Sequence, residues 1–292
     1  MSSVETNILI KEWGVIKMIF KRINILLVLV GILAITACAS VETIKIPAEV
    51  PEIHPGILAG YLKPEVLPNS LALIPPPPAD GSAALAFDEE ASKKGLALQD
   101  TLRWELAIKD ADLSFPEAAG TFSCALGIPI TKKETPHLYM LLRRTLADAG
   151  LSTYTAKNHY QRNRPFMVND RPVCTPEDEE ALRKDGSYPS GHTAIGWAWA
   201  LILTEIAPDR ADVILARGRA FGESRNICNA HWSSDVAEGR FMGAATVARL
   251  HADPVFCAEL AAAGAEYTAS TAKGLKPSRD CDAETKALAN LL

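Results

Sequence analysis

The strip Thr193 to Glu205 (TAIGWAWALILTE) is apolar, rich in alanine and free of proline, and it carries no charge until its last residue. A strip of this kind predicts a helix buried on all sides, so the rest of the chain has to build a core around it. The residues in front of it suggest its use. Gly186-Ser187-Tyr188-Pro189-Ser190-Gly191-His192-Thr193 sets a Ser-Gly pair at the helix start, where backbone N–H groups lack partners and the positive end of the macrodipole points outward. That arrangement binds a phosphate. Gly191 lets the backbone approach the anion without a Cβ, Ser190 adds a hydroxyl donor, and His192 stands at the rim.

Two further blocks supply cations and a second imidazole. Lys157 and Arg164 lie in YTAKNHYQRNR, a segment with helical character, in which a spacing of seven returns both to nearly one face. Pro165 is expected to end that helix and leave Arg164 at its last turn, its guanidinium free to fork onto phosphate oxygens. Downstream, Ser224-Arg225 is followed by His231 and Asp235. The i, i+4 spacing of His231 and Asp235 predicts neighbours on one face of a helix running through HWSSDVAEGRFMGAATVARL. An aspartate on Nδ1 sets the tautomer and leaves Nε2 as a nucleophile. Fixed cations, a nucleophilic histidine and a second histidine to protonate a leaving alkoxide are what phosphoryl transfer requires. Ser224 reads either as a site contact or as a local hydrogen bond in its turn, and His137 and His159 read as surface or satisfied core residues outside the site.

These three blocks resemble the bacterial class A nonspecific acid phosphatases of the type 2 phosphatidic acid phosphatase and vanadium haloperoxidase superfamily, over about residues 85–270. The resemblance implies His231 as nucleophile, His192 as general acid, Asp235 as its orienting partner, and Lys157, Arg164, Ser190, Gly191 and Arg225 as phosphate ligands. It further implies a homo-oligomeric, metal-independent enzyme with no cofactor, acting on small phosphorylated substrates that include nucleotides. Three alternatives stand beside it. A vanadate-dependent haloperoxidase shares the oxyanion site, a lipid phosphatase requires several long apolar spans, and a phosphate-binding lipoprotein leaves His231 and Asp235 unexplained.

The fold class is all-α, a single helical-bundle domain, and the resemblance implies antiparallel helices with the site at one end. Helical periodicity predicts helices over Glu89–Lys109, Pro136–Ala149, Pro176–Lys184, Asp209–Asn226 and Pro254–Thr268, with no strand alternation. The domain reading is a signal segment over 1–38, a Pro-rich tether or arm over 39–85, the catalytic domain over 86–270, and a loose tail over 271–292 with a short helix at Ala283–Leu292. A net charge of −5 and a lack of basic stripes argue against bulk nucleic-acid binding.

From Met18, MIFKRINILLVLVGILAITAC combines basic residues, an apolar core and small residues before Cys38, the pattern of an export signal. It resembles a bacterial lipoprotein signal, which implies lipid on Cys38 and anchoring of a periplasmic or outer-membrane protein. Ordinary cleavage ahead of Ser40 is the competing reading, and a retained span over Ile25–Ala37 falls short of the length a membrane requires. Cys124, Cys174, Cys228, Cys257 and Cys281 admit disulfides in an oxidising compartment, without a defined connectivity. Their spacing offers no zinc pattern, and no structural metal is expected.

Overall fold

Prolines and glycines punctuate the start of the chain, and helix caps punctuate the rest. The protein is described by a computed structural model covering residues 44–277 and 279–289, so the signal segment and Cys38 lie outside the described residues. A small antiparallel hairpin, β1 (Glu52–His54) and β2 (Ile57–Leu58), turns through Pro55 and Gly56. Gly56 adopts a φ of 80°, a conformation that favours glycine at the turn. The hairpin was not expected from alternation, because each strand is too short to display any.

Helices follow in succession: α1 (Ser70–Leu73), α2 (Ala83–Leu96), α3 (Leu102–Ala111), α4 (Ser123–Leu126), α5 (Pro136–Leu151), α6 (Tyr154–Tyr160), α7 (Pro165–Asn169) and α8 (Glu179–Arg183). Next come α9 (Gly191–Ile206), α10 (Ala211–Ile227), α11 (Ser233–Leu250), α12 (Pro254–Ala272) and α13 (Cys281–Leu288). The single helix expected over Glu89–Lys109 is two, α2 and α3. Asp100 has a φ of 64°, and the Thr101 hydroxyl accepts from the Trp104 N–H, so a turn and a fresh N-cap interrupt the apolar periodicity.

The apolar strip is α9, and it is the centre of the bundle. Ala198, Trp199, Ala200, Ile202 and Leu203 are fully buried, with α5, α10, α11 and α12 packed around them. The Trp199 indole donates to the Leu142 carbonyl at 3.0 Å, so its one polar atom is satisfied inside the core. On α5, Leu138, Leu141 and Leu142 are fully covered, each burial contributing about 2 kcal/mol. α11 approaches α9 through glycines. A Cβ on Gly239 would stand 2.6 Å from the Ser190 carbonyl oxygen, and one on Gly243 would stand 2.5 Å from that of Ala194. This close crossing brings the N-terminal ends of α9 and α11 together, and the Ser190 N–H donates to the Asp235 carbonyl at 2.9 Å.

Residues 45–82 lie across the helices as an arm. The Tyr61 and Leu62 N–H groups each donate to the buried Asp148 carboxylate at 2.9 Å. Arg144 donates to the Gly60 carbonyl at 2.9 Å, and its guanidinium stacks 3.7 Å from the Tyr61 ring centroid. The residues after 270, expected as a loose tail, are held. α12 continues to Ala272, a disulfide joins Cys124 to Cys281, and Glu284 on α13 reaches Arg217 on α10. A second disulfide joins Cys174 to Cys228, and Cys257 is unpaired among the described residues.

Candidate active site

Where α11 begins, the chain turns sharply and sets a histidine beside an aspartate. The expected helix through His231 does not start until Ser233, with Trp232 as its N-cap in an extended conformation. Asp235 is therefore a first-turn residue. It accepts from the Trp232 N–H at 2.8 Å and complements the positive helix end. His231 stands just before the cap, its Nδ1 3.3 Å from Asp235 Oδ2. The i, i+4 pair meets as predicted, through a cap and not through a helix face. Its backbone is held as well, since the N–H donates to the Arg225 carbonyl and the carbonyl accepts from Asn226.

The hydrogen-bond network assigns the tautomer. With Asp235 on Nδ1, Nε2 is the acceptor, and Arg164 Nη1 donates to it at 2.9 Å. Burial, reinforced by Arg164, Lys157 and Arg225, holds the imidazole well below the usual histidine range. A neutral ring with a lone pair facing cations is a nucleophile aimed at an anion.

The cations converge from three segments. α6 ends at Tyr160, Gln161 takes a left-handed conformation, and Arg164 is the extended N-cap of α7, whose first residue is Pro165. Pro165 thus opens a helix, where its missing N–H and fixed φ are suited, and does not close the previous one. Lys157 and Arg164 meet by this reversal of the chain, 3% and 1% exposed. Burial, with Arg164 nearby, pushes the Lys157 ammonium down to about 8, against the opposing pull of Asp185. Arg225, on the last turn of α10, is pushed down to about 10 by burial and by Arg164. Its Nε and Nη1 are buried and find no partner among the described residues. Such a buried, unpaired guanidinium favours an anion next to it.

Ser190 caps α9. Its Oγ accepts from the Thr193 N–H and hydroxyl at 3.2 and 2.9 Å, which leaves its own proton to donate. The helix opens at Gly191, two residues before the expected Thr193, and the Gly191 and His192 N–H groups make no bond within the described residues. A Cβ on Gly191 would stand 3.5 Å from Thr153 Oγ1 and 3.9 Å from Lys157 Cε. His192 Nε2 donates to the Ala111 carbonyl at 2.9 Å, which leaves Nδ1 without a partner among the described residues. Burial and the neighbouring Arg225 hold His192 well below the usual range, with the Ala111 contact opposing them.

Lys157, Arg164, Gly191, His192 and His231 all line one cavity of about 410 Å³. Ser190, Arg225 and Asp235 lie just behind that lining. Four residues of the site were missed in the sequence. Asp185 Oδ2 accepts from Lys157 Nζ at 2.9 Å and from Arg164 Nη2 at 3.0 Å. Arg162 forks between Asp235 Oδ1 at 2.7 Å and Asp88 Oδ2 at 2.8 Å, and Asp88 caps Ser234. The Ser187 hydroxyl donates to Asp235 Oδ2. Arg162 and Ser187 lie inside the motif blocks and Asp185 adjoins one, whereas Asp88 carries no local signal. Ser224 is not in the site: its hydroxyl donates to Asp110 at 2.6 Å and accepts from Arg103 at 3.0 Å. Among the described residues, no cluster of His, Cys, Asp or Glu is arranged to hold a metal.

The chain is similar in sequence to known proteins. The PAP2 superfamily pattern matches residues 137–256. A non-specific acid phosphatase of Providencia stuartii is 47% identical over 208 residues, covering 71% of this chain and 84% of that protein. One of Salmonella typhimurium is 45% identical over 202 residues, 69% of this chain and 81% of its own length. An acid phosphatase of Zymomonas mobilis is 44% identical over 188 residues, 64% and 71% of the two chains.

Proposed function

The chain belongs to the non-specific acid phosphatases of the PAP2 superfamily, and on that footing we propose that it hydrolyses phosphate monoesters by double displacement at His231. The observation that carries the reading is the His231 ring itself, held by Asp235 on Nδ1 and presenting Nε2 to Arg164.

In the first step Nε2 attacks phosphorus, the bond to the ester oxygen breaks, and that oxygen takes the Nδ1 proton of a protonated His192. Arg164 Nη1 passes from Nε2 to a phosphoryl oxygen as the lone pair is used. Lys157, Arg225 and the N–H groups at the start of α9 take the charge on the remaining oxygens. The developing imidazolium is stabilised by Asp235, whose other oxygen is fixed by Arg162. In the second step His192, now neutral, takes a proton from water as the water oxygen attacks phosphorus. Inorganic phosphate leaves and His231 recovers its lone pair.

The pH dependence has a defined sign. Burial and Arg225 hold His192 well below the usual histidine range, and the negative charge of a bound phosphate raises its affinity for a proton. The protonated fraction grows as pH falls, so the first step is favoured in acid.

Lys157, Arg164 and Arg225 supply the positive charge that a metal would otherwise provide, and turnover is expected to survive EDTA. Export belongs to the same reading: the segment from Met18 supports it, as do two disulfides in a compartment that permits them. No described helix is long and apolar enough to cross a membrane. The direct test is hydrolysis of p-nitrophenyl phosphate by the wild type and by His231→Ala. Loss of turnover with phosphate still bound is the expected result, and turnover retained by His231→Ala overturns the assignment.

A further inference from the structure

Beyond the cations, the cavity changes character. Of its lining residues, Lys157, Arg164, Asp185 and His231 are hydrogen-bonded to one another, and His192 stands beside them. Most of the large side chains in the rest of the wall form an apolar collar of Ile53, Ile57, Leu113, Leu146, Leu151 and Ile195. Leu146 and Ile195 are 8% and 4% exposed, while Ile53 and Leu151 form an open rim at 52% and 42%. Outside the phosphate-handling groups, His54 and Tyr154 are the only lining residues with polar side chains, and both are exposed.

The collar is built in. Ile195 follows His192 by three positions on α9, so it lies one turn along the same face as the proton donor. β1 and β2 bring Ile53 and Ile57 from the arm. Arg143 holds this hairpin through Glu52 at 3.5 Å and the Gly56 carbonyl at 3.4 Å, and Arg144 holds the backbone just after it through the Gly60 carbonyl. A phosphate seated on the cations with its ester oxygen toward His192 therefore directs its alcohol into apolar surface. A sugar hydroxyl or a base edge pressed against Leu146 and Ile195 gives up water and gains few partners.

We propose that this collar is the leaving-group subsite and that it selects monoesters of apolar alcohols and phenols over sugar phosphates and nucleotides. The inference rests on the phosphatase reading. It gives the arm a role in specificity, because half of the outer rim comes from residues that precede the matched superfamily segment.

The experiment is kcat/KM along a series of straight-chain alkyl phosphates, whose leaving groups differ little in basicity, with glycerol phosphate and a nucleoside monophosphate beside them. Each methylene that enters the collar is expected to raise kcat/KM about threefold to fourfold until the chain reaches the rim. Glycerol phosphate and the nucleotide should fall below propyl phosphate. Ile195→Thr and Leu146→Gln should flatten the series. Ile53→Ser, at an exposed position of the hairpin, and Ile57→Ser, at a partly buried one, should flatten its long-chain end. The inhibition constant of inorganic phosphate, which fills only the cationic base, should stay unchanged in all four. A flat wild-type series, or faster turnover of glycerol phosphate, overturns the collar while leaving the phosphatase reading intact. Failure to hydrolyse any monoester overturns both.

Discussion

Replacing Asp185 by asparagine is expected to tighten the binding of inorganic phosphate. One carboxylate oxygen accepts from Lys157 Nζ and from Arg164 Nη2, at 2.9 and 3.0 Å, and these are donors that a phosphate also needs. Binding therefore exchanges one anion for another. A hydrogen bond to a charged group is worth about 1.5–3 kcal/mol, and a neutral amide oxygen retains roughly half of that. Because the Asp185 side chain is 33% exposed, solvent screening reduces the difference to about 1–1.5 kcal/mol for the pair. The inhibition constant of phosphate at pH 5–6 should fall about tenfold, and KM should fall with it. A second effect has the opposite sign at higher pH. Asp185 helps to keep Lys157 protonated, and its ammonium already sits at about 8. In Asp185→Asn, Lys157 loses its proton at lower pH, so the alkaline limb of phosphate binding moves down and the gain in affinity vanishes there. Inhibition of p-nitrophenyl phosphate hydrolysis, measured from pH 5 to pH 9 in both proteins, reads both effects. Weaker phosphate binding at pH 5–6 would refute the exchange and make Asp185 a group that positions the two cations.

In the wild type, phosphate affinity should decline above pH about 8 as Lys157 becomes neutral, and Lys157→Arg should carry binding past that limit; an unchanged limb counts against Lys157 as a ligand. Arg162→Lys keeps the charge but loses the fork between Asp235 and Asp88, so kcat should fall about tenfold with KM within about twofold, the loss of one charge-assisted bond. Loss in KM alone would place Arg162 on the substrate. The double variant Cys174→Ser, Cys228→Ser opens a loop with a sequence separation of 54 that ends just before His231. It should lose about 4 kcal/mol of stability in denaturant titration, and an unchanged midpoint would show that this crosslink carries no stability.

Much of the site was legible because its residues come in blocks whose internal spacing survives any local error. His231 and Asp235 meet even though the expected helix between them is an N-cap turn at Trp232. Lys157 and Arg164 meet even though the segment joining them reverses at Gln161. What the sequence could not display are partners that are distant along the chain. Asp88 on α2 supports Arg162 from 74 residues away, and nothing around it separates a buried acid from a solvated one. Asp185 reads as one more surface charge beside Lys184 until the fold turns it toward two cations. The Pro-rich arm was legible as extended backbone, but where it lies is decided by Asp148 and Arg144 on α5. The break between α2 and α3 had a signal in Thr101, a good N-cap, which the continuing apolar periodicity concealed.

The central claim is a covalent bond between phosphorus and His231 Nε2. It is tested most directly by mixing enzyme with a phosphomonoester, quenching in alkali within the first turnovers, and locating the phosphoryl group by peptide mass spectrometry. The account predicts acid-labile phosphate on His231, absent in His231→Ala and accumulating in a His192 variant that forms it from an activated aryl phosphate but hydrolyses it slowly. Phosphate trapped on any other residue, or none trapped while that His192 variant still releases a stoichiometric burst of phenol, would contradict it.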